Sequence, residues 1–236
     1  MPQNAARHAY LITAHDKPEQ LKLLLSLLDD SNNDLYLHID KKAAGIQNSD
    51  LTGAIKKASI QFVPRLDARW GSEVFIDAIA SLIREAVKTE HAYYHLLSGV
   101  DLPLKPQQEI RAYFTEHAGK EFVAFDQKSA DQRVLVQRLG RYSFRRPVGP
   151  FAIRAYKRFE PVWNKLQSAL GVNRIKRCPV VFQKGAVWFS ITHAFALYVL
   201  EQLPRYRAYF RHSVCADEIW LQTILLHSPF MERRFF

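Results

Sequence analysis

The chain alternates between short runs of consecutive apolar residues and longer stretches in which apolar residues recur every three or four positions. A short apolar run is typical of a buried strand, and the longer spacing is typical of a helix with one buried face. The runs that we interpret as strands are 9–13, 34–39, 60–63, 93–97, 121–125, 180–182 and 186–190.

Stretches with helical spacing separate most of these runs. Six helices are predicted: one after Asp16, one from Ser72 to Val87, one that begins at Pro106, one at 151–170, one from Thr192 to Glu201, and a last one at 216–226. Asp16, Ser72 and Thr192 stand where a side chain can cap a helix. Alternating strands and helices predict an α/β fold, with a mostly parallel sheet, covered by helices and joined by right-handed crossovers.

Length and cysteine content limit the class of protein. A chain of 236 residues can bury a substantial core, and we expect one domain over residues 1–236. Cys178 and Cys215 match neither a zinc pattern nor a disulfide framework, which indicates a reducing compartment. The first residues lack the apolar region of a signal peptide, and no apolar run reaches the roughly 18 residues of a membrane span. We expect a cytoplasmic protein, at most peripheral to the inner face of a membrane.

The net charge of +10 is concentrated in one segment. Residues 133–177 contain twelve Lys or Arg and one acid, Glu160, so this segment carries +11 and the remainder −1. We expect it to form a basic subdomain or insertion. Such a segment attracts nucleotides, anionic lipids, acidic glycans or nucleic acid, or it is only a solvated face. It includes aromatic residues but no known nucleic-acid motif, so we expect no nucleic-acid partner. We favour an anionic acceptor or a membrane leaflet that carries a lipid-linked glycan.

Polar residues follow four of the predicted elements, in the segments 13–16, 38–42, 69–72 and 98–101. Ligands of open α/β sheets collect outside the carboxyl ends of strands, so these segments predict one site. His38 and Asp40 lie on the same side of an extended chain, and Asp40 could bond a ribose hydroxyl or a base. A structural histidine at position 38 and a core position for Trp70 are the alternatives. Asp101 stands alone between two apolar residues, which argues against a metal.

Asp217 and Glu218 open the last predicted helix. Acidic residues there interact favourably with the helix dipole, which explains them without any function. A catalytic carboxylate is the other interpretation.

Five motifs give the chain a resemblance to a known family. They are His38-Ile39-Asp40-Lys41-Lys42, Arg69-Trp70-Gly71, Leu97-Ser98-Gly99-Val100-Asp101-Leu102-Pro103-Leu104, Lys184-Gly185-Ala186-Val187-Trp188-Phe189-Ser190 and Ala216-Asp217-Glu218. In this order they resemble the core-2/I-branching β-1,6-N-acetylglucosaminyltransferases, a family that includes peptide O-xylosyltransferases. The resemblance runs from about Ala9 to Leu226.

The resemblance implies a GT-A-type glycosyltransferase that uses a UDP-sugar as donor, inverts the anomeric centre, and needs neither a metal nor another cofactor. The sugar would be GlcNAc or xylose, and the acceptor a glycan or a lipid-linked glycan. Glu218 matches the catalytic base, while Trp188 and Asp217 match the acceptor side. The donor side is implied for Ala14, His15, His38, Asp40, Arg69, Trp70, Ser98, Gly99 and Asp101.

Members of this family usually continue past the base helix into a tail whose basic residues hold the diphosphate. This sequence ends at Phe236, soon after Arg233 and Arg234. We therefore expect other cations, with Arg69 and the basic segment as candidates, to take that role. The alternative is a catalytically degenerate protein of the same fold that binds a nucleotide or an acidic glycan.

Overall fold

The computed structural model describes residues 7–68, 70–126, 132–143 and 150–235. The strands of this part of the chain are β1 (His8–Ala14), β2 (Asn33–Ile39), β3 (Ser59–Phe62), β4 (Tyr93–Ser98), β5 (Glu121–Val123), β6 (Phe189–Thr192) and β7 (Arg234–Phe235). They form one sheet in the order β3-β2-β1-β4-β6-β5-β7.

The described α-helices are α1 (Pro18–Leu28), α2 (Asn48–Thr52), α3 (Val74–Ala86), α4 (Gln107–Glu116), α5 (Gln132–Leu135), α6 (Pro150–Ala169), α7 (His193–Phe210) and α8 (Trp220–Leu226). A π-helical turn, Val136–Gly140, continues α5. A 3-10 turn, Ala216–Glu218, precedes α8.

The direction of the strands decides where the loops meet. β1 pairs in parallel with β2 and β4, β2 with β3, and β5 with β7, whereas β6 is antiparallel to β4 and β5. Because β6 runs backwards, the segment entering it lies at the same edge as the carboxyl ends of β4 and β5. The predicted α/β class with a mostly parallel sheet is confirmed.

Two apolar layers cover the sheet. Tyr10 and Ile12 of β1 face α1, whose Leu21, Leu24 and Leu25 are completely buried. Fully burying each leucine contributes about 1.5–3 kcal/mol. On the other face, β1 and β4 pack against residues of α3, α7 and α8. The central strands are thereby covered on both sides, which explains their continuous apolar runs.

The predicted helix caps differ in outcome. Thr192 caps α7, since its Oγ1 accepts a hydrogen bond from the Phe195 amide at 3.3 Å. Asp16 does not cap α1, because Lys17, in a left-handed conformation, precedes Pro18 at the helix start. Ser72 does not cap α3 either, since that helix begins two residues later at Val74.

The predicted strand at 180–182 is wrong. This segment contacts α8 and the residue after it, and it forms no strand of the sheet. Nε2 of His227, just after α8, lies 2.9 Å from the Val181 carbonyl, and the amide of the next residue, Gln183, donates to Oγ1 of Thr223 at 3.2 Å. The strand predicted at 186–190 begins only at Phe189, because the residues before it contact the 3-10 turn and α8.

Among the helices of the described residues, none is both long and apolar enough to cross a membrane.

Candidate active site

The carboxyl ends of β1, β2 and β4 are joined by backbone hydrogen bonds. The Asp40 amide donates to the Ala14 carbonyl at 2.8 Å, and the Gly99 amide donates to the Thr13 carbonyl at 2.8 Å. Three of the predicted polar segments therefore meet at one edge of the sheet, as expected for a ligand site of an open α/β fold.

Gly99 is required by this close approach. A Cβ at position 99 would lie 2.7 Å from Cβ of Ala14 and 3.5 Å from a methyl carbon of Leu21. Any larger residue would push the β4 turn away from β1, so the glycine sets the spacing of the two strand ends.

Asp101 closes the turn that follows β4. Its Oδ2 accepts a hydrogen bond from the Ser98 amide at 2.7 Å. The side-chain amide of Gln20 in α1 holds the Val100 carbonyl at 2.7 Å. The turn is thereby fixed against α1, and one oxygen of its only carboxylate is already occupied.

His38 and Asp40 are buried and hold a neighbouring loop. Oδ2 of Asp40 accepts from the Ala68 amide at 3.0 Å, and Nε2 of His38 accepts from the Leu66 amide at 3.0 Å. Burial is the main cause that lowers the pKa of His38 below its usual value, which favours the neutral ring as acceptor. Both residues thus position the loop at 64–68.

The other residues predicted for the donor side differ in exposure. His15 is largely exposed and lies 3.6 Å from the carboxylate of Asp16. Trp70 has 82% of its surface exposed, so the core position considered for it is wrong. Arg69 lies outside the described residues.

A second set of residues surrounds the 3-10 turn. The Cys215 amide donates to the Gly71 carbonyl at 3.0 Å, and the Gly185 amide donates to the Glu218 carbonyl at 2.9 Å. A Cβ at Gly185 would lie 1.8 Å from the Ala124 carbonyl oxygen, so only glycine fits there. Gly185 is thus bonded to the Asp-Glu motif, and Gly71 to the residue directly before that motif.

Glu218 is held by two cations through one of its oxygens. Oε2 lies 2.7 Å from Nη1 of Arg138 and 2.9 Å from Nζ of Lys184. Lys184 also contacts Oδ2 of Asp126 at 2.6 Å. Oε1 of Glu218 accepts no hydrogen bond from any residue that the structure describes. The carboxylate is therefore oriented, with one oxygen left open.

The pKa values of the two neighbouring acids move in opposite directions. Burial alone would raise the pKa of Glu218, but the hydrogen bonds and charges of Lys184 and Arg138 outweigh it and hold the pKa below its usual value. Burial, together with the charge of Glu218, raises the pKa of Asp217 to about 6. Oδ1 of Asp217 is buried and has no hydrogen-bond partner among the described residues. Two carboxylates with separated pKa values are typical of a functional site.

Trp188, the other residue predicted for the acceptor side, lies in a segment that is bonded to Glu218. Trp188 is 43% exposed, and it follows Gly185 in the segment bonded to Glu218. Gln222 of α8 fixes the same segment, since its Nε2 donates to the Ala186 carbonyl at 2.5 Å. The segment from Lys184 to Trp188 is thus held on two sides.

The sequence did not single out Arg138, Lys184 or Asp126. Lys184 was visible as the first residue of a motif, but nothing assigned it to Glu218. Arg138 was one of twelve cations in the basic segment, so charge could not distinguish it. Asp126 follows a strand and carried no further signal.

The chain is similar to known proteins over nearly its whole length. The family model described as Core-2/I-Branching enzyme matches residues 8–235. No curated protein matches the chain significantly. A solved structure to which the chain is similar is the apo form of mouse xyloside xylosyltransferase 1, at 11% sequence identity and a TM-score of 0.43, covering 97% of this chain and 84% of that chain.

The family match includes every element of the sheet. The GT-A-type α/β fold that the resemblance implied is thereby confirmed. Because the match spans nearly the whole length, the chain belongs to the Core-2/I-Branching enzyme family of glycosyltransferases.

Proposed function

We propose that this protein is an inverting glycosyltransferase that transfers GlcNAc or xylose from a UDP-sugar to a hydroxyl of a glycan or lipid-linked glycan, forming a β-linkage. The observation that carries the proposal is the carboxylate of Glu218, with Oε2 bound by two cations and Oε1 open.

The reaction needs a base on the acceptor side. The acceptor hydroxyl gives its proton to Oε1 of Glu218 while its oxygen bonds to the anomeric carbon. The bond from that carbon to the diphosphate breaks on the opposite face, so the configuration inverts and UDP leaves. General base catalysis of this kind contributes roughly 10²- to 10⁴-fold.

Arg138 and Lys184 serve the base in this proposal. Their bonds to Oε2 fix the direction of the carboxylate, and their charges keep it ionised at neutral pH. In-line displacement places the base and the leaving group on opposite faces of the sugar. We therefore assign the diphosphate to other cations, with Arg69 and the rest of the basic segment as candidates.

The donor side follows from the joined strand ends. Ala14, Ser98, Gly99 and Asp101 form its rigid wall, and His38 and Asp40 hold the adjoining loop. His15 and Trp70 are exposed and would be free to contact the donor. The uridine would lie near Asp40.

The acceptor side includes Asp217 and Trp188. Asp217, whose Oδ1 is buried beside Glu218, would line the acceptor pocket, and the half-exposed indole of Trp188 offers an apolar face to a sugar ring. Asp217 directly precedes Glu218, and Trp188 lies three residues after Gly185, whose amide donates to the Glu218 carbonyl.

We propose that the reaction needs neither a metal nor another cofactor. One oxygen of Asp101 is engaged by the Ser98 amide. Within the described ranges, no three His, Cys, Asp or Glu side chains are grouped so that they could hold a metal ion. Metal sites for nucleotides usually require several oxygen ligands.

A transfer screen over UDP-sugars and glycan acceptors, with and without EDTA, tests this function. We expect a β-linked product from UDP-GlcNAc or UDP-xylose and unchanged rates in EDTA. An α-linked product contradicts inversion, and strict metal dependence contradicts the metal-free mechanism. Donor binding by calorimetry without any transfer would instead identify the catalytically degenerate binding protein. Binding of neither UDP nor either donor would refute the donor site.

A further inference from the structure

Helix α6 carries an unusual set of exposed apolar side chains. Phe159 is 63% exposed, Val162 65% and Leu166 48%, and Leu170, just after the helix, is 70% exposed. None of these residues belongs to either apolar layer of the sheet. A contiguous exposed apolar surface on a protein is typical of an interaction site.

The four side chains lie on one face of the helix. Their spacing of three, four and four residues places them within about 80° of arc at 100° per residue. Arg158 and Lys165, both exposed, lie along one flank of this apolar stripe. Trp163 and Gln167 lie along the other flank.

Polar contacts on that second flank fix the orientation of α6. Nε1 of Trp163 donates to the Tyr142 carbonyl at 2.9 Å. Gln167, which is buried, accepts from the Tyr142 amide at 2.7 Å and donates to its carbonyl at 3.1 Å. The helix is thus attached along one side, and the apolar stripe with its cations stays on the surface.

We propose that this face of α6 binds the surface of an anionic lipid bilayer. Phe159, Val162, Leu166 and Leu170 would enter the boundary between headgroups and acyl chains. Arg158 and Lys165 would contact the anionic headgroups beside them. A basic amphipathic helix with both features on adjacent faces is the arrangement that lies in a membrane interface.

Charge selects this partner over two others. A second copy on the same face would bring together two segments of +11 each, which repel. A nucleic acid would pair with the cations but leave the apolar stripe in water. A bilayer with anionic lipids accepts both the cations and the apolar side chains.

Binding of α6 to a bilayer does not depend on the transferase activity.

Vesicle flotation of the purified full chain tests the proposal. We expect binding to vesicles of phosphatidylcholine mixed with phosphatidylglycerol, weakening as salt is added, and little binding to phosphatidylcholine alone. Equal binding to both vesicles, or no binding to either, would overturn it.

Matched substitutions separate this face from the rest of the surface. Leu166→Gln should weaken binding on the order of fivefold, whereas Leu23→Gln, at an equally exposed leucine of α1, should not. Arg158→Gln with Lys165→Gln should weaken binding at least about tenfold, and Lys56→Gln with Lys57→Gln much less. Equal effects within either pair would refute the assigned face.

Circular dichroism and thermal unfolding check that the variants fold. If Leu166→Gln does not fold, Val162→Gln at the more exposed position replaces it. Sedimentation of the protein without lipid tests whether a second copy binds this face instead. A dimer that dissociates in Leu166→Gln would show that a second copy covers α6, and it would overturn the proposal.

Discussion

Nη1 of Arg138 lies 2.7 Å from Oε2 of Glu218, although eighty residues separate them in sequence. The contact links the basic segment to the Asp-Glu motif. Arg138 is itself held by its backbone, because its carbonyl accepts from the Val214 amide at 2.9 Å. The direction of the Glu218 carboxylate is therefore set by tertiary structure.

Glu218→Gln should remove transfer and keep donor binding. The amide is nearly isosteric but cannot accept the proton, so kcat should fall by roughly 10²- to 10⁴-fold. Transfer assays and calorimetry with UDP measure the two effects. Glu201→Gln, an exposed position of α7, is the control. Unchanged turnover in Glu218→Gln would exclude this residue as the base.

Lys184→Met should move the acidic limb of the pH–rate profile to higher pH. Lys184 and Arg138 hold the pKa of Glu218 below its usual value, so loss of one cation raises it. The base is active when ionised, and activity would then be lost at a higher pH than in the wild type. Profiles of kcat/KM against pH for Lys184→Met and for Lys88→Met, an exposed cation outside the basic segment, provide the comparison. An identical limb in Lys184→Met would contradict the assignment.

Asp217→Asn should stabilise the protein and impair acceptor use. The folded pKa of Asp217 is raised to about 6, so its contribution to stability is full below the unfolded pKa and is lost as pH rises through 6. Removing the charge should therefore add up to about 3 kcal/mol to the free energy of unfolding at neutral pH, and little in acid. Denaturant titrations at the two pH values measure this. A higher KM for the acceptor, with donor KM unchanged, would accompany it; a variant that loses stability at neutral pH refutes the prediction.

Gly185→Ala should disrupt the site more than Gly99→Ala. The added Cβ would meet the Ala124 carbonyl oxygen at 1.8 Å in the first case and a side-chain carbon of Ala14 at 2.7 Å in the second. Overpacking of this kind costs typically about 1–3 kcal/mol, more against rigid backbone. Gly45→Ala, with no atom within 4 Å, is the matched control. Thermal unfolding and transfer assays should rank the variants in this order, and equal behaviour of all three would contradict the packing.

Stability should fall as pH drops from about 6.5 to 4. Nδ1 of buried His8 lies 2.8 Å from Nε2 of buried His95, so one of these nitrogens donates a hydrogen bond and the other accepts it, which requires an accepting ring without a proton at that nitrogen. Burial, with the charge of Arg111 nearby, lowers the pKa of His8 to about 4, and burial lowers that of His95 well below its usual value. As the pH falls, these histidines bind protons in the unfolded chain at a higher pH than in the folded protein. For His8 alone, this difference lowers the free energy of unfolding by about 3 kcal/mol.

Denaturant titrations of the wild type between about pH 4 and 7.5 measure this loss. This range covers the pKa of His8 in the unfolded chain and its pKa of about 4 in the folded protein. His8→Gln should flatten the dependence, whereas His15→Gln, at an exposed ring, should leave it unchanged. A wild-type protein equally stable across this range would show that the histidine pair does not govern acid stability.

The sequence by itself determined the fold class and the motifs. Its apolar runs predicted the α/β alternation, because strands covered on both faces and helices with one buried face need those patterns. It also placed polar residues at the strand ends and identified the Asp-Glu pair. These are local properties, which neighbouring residues settle.

Tertiary structure alone decided which charges meet. Thr192 caps its helix through a local hydrogen bond, as predicted. The segment at 180–182, predicted as a strand, instead makes long-range contacts at α8. Arg138 and Lys184 reach Glu218 only because β6 runs backwards and the π-helical turn lies beside the 3-10 turn. Long-range contacts of this kind depend on strand order and loop packing, which the spacing of residues along the chain does not contain.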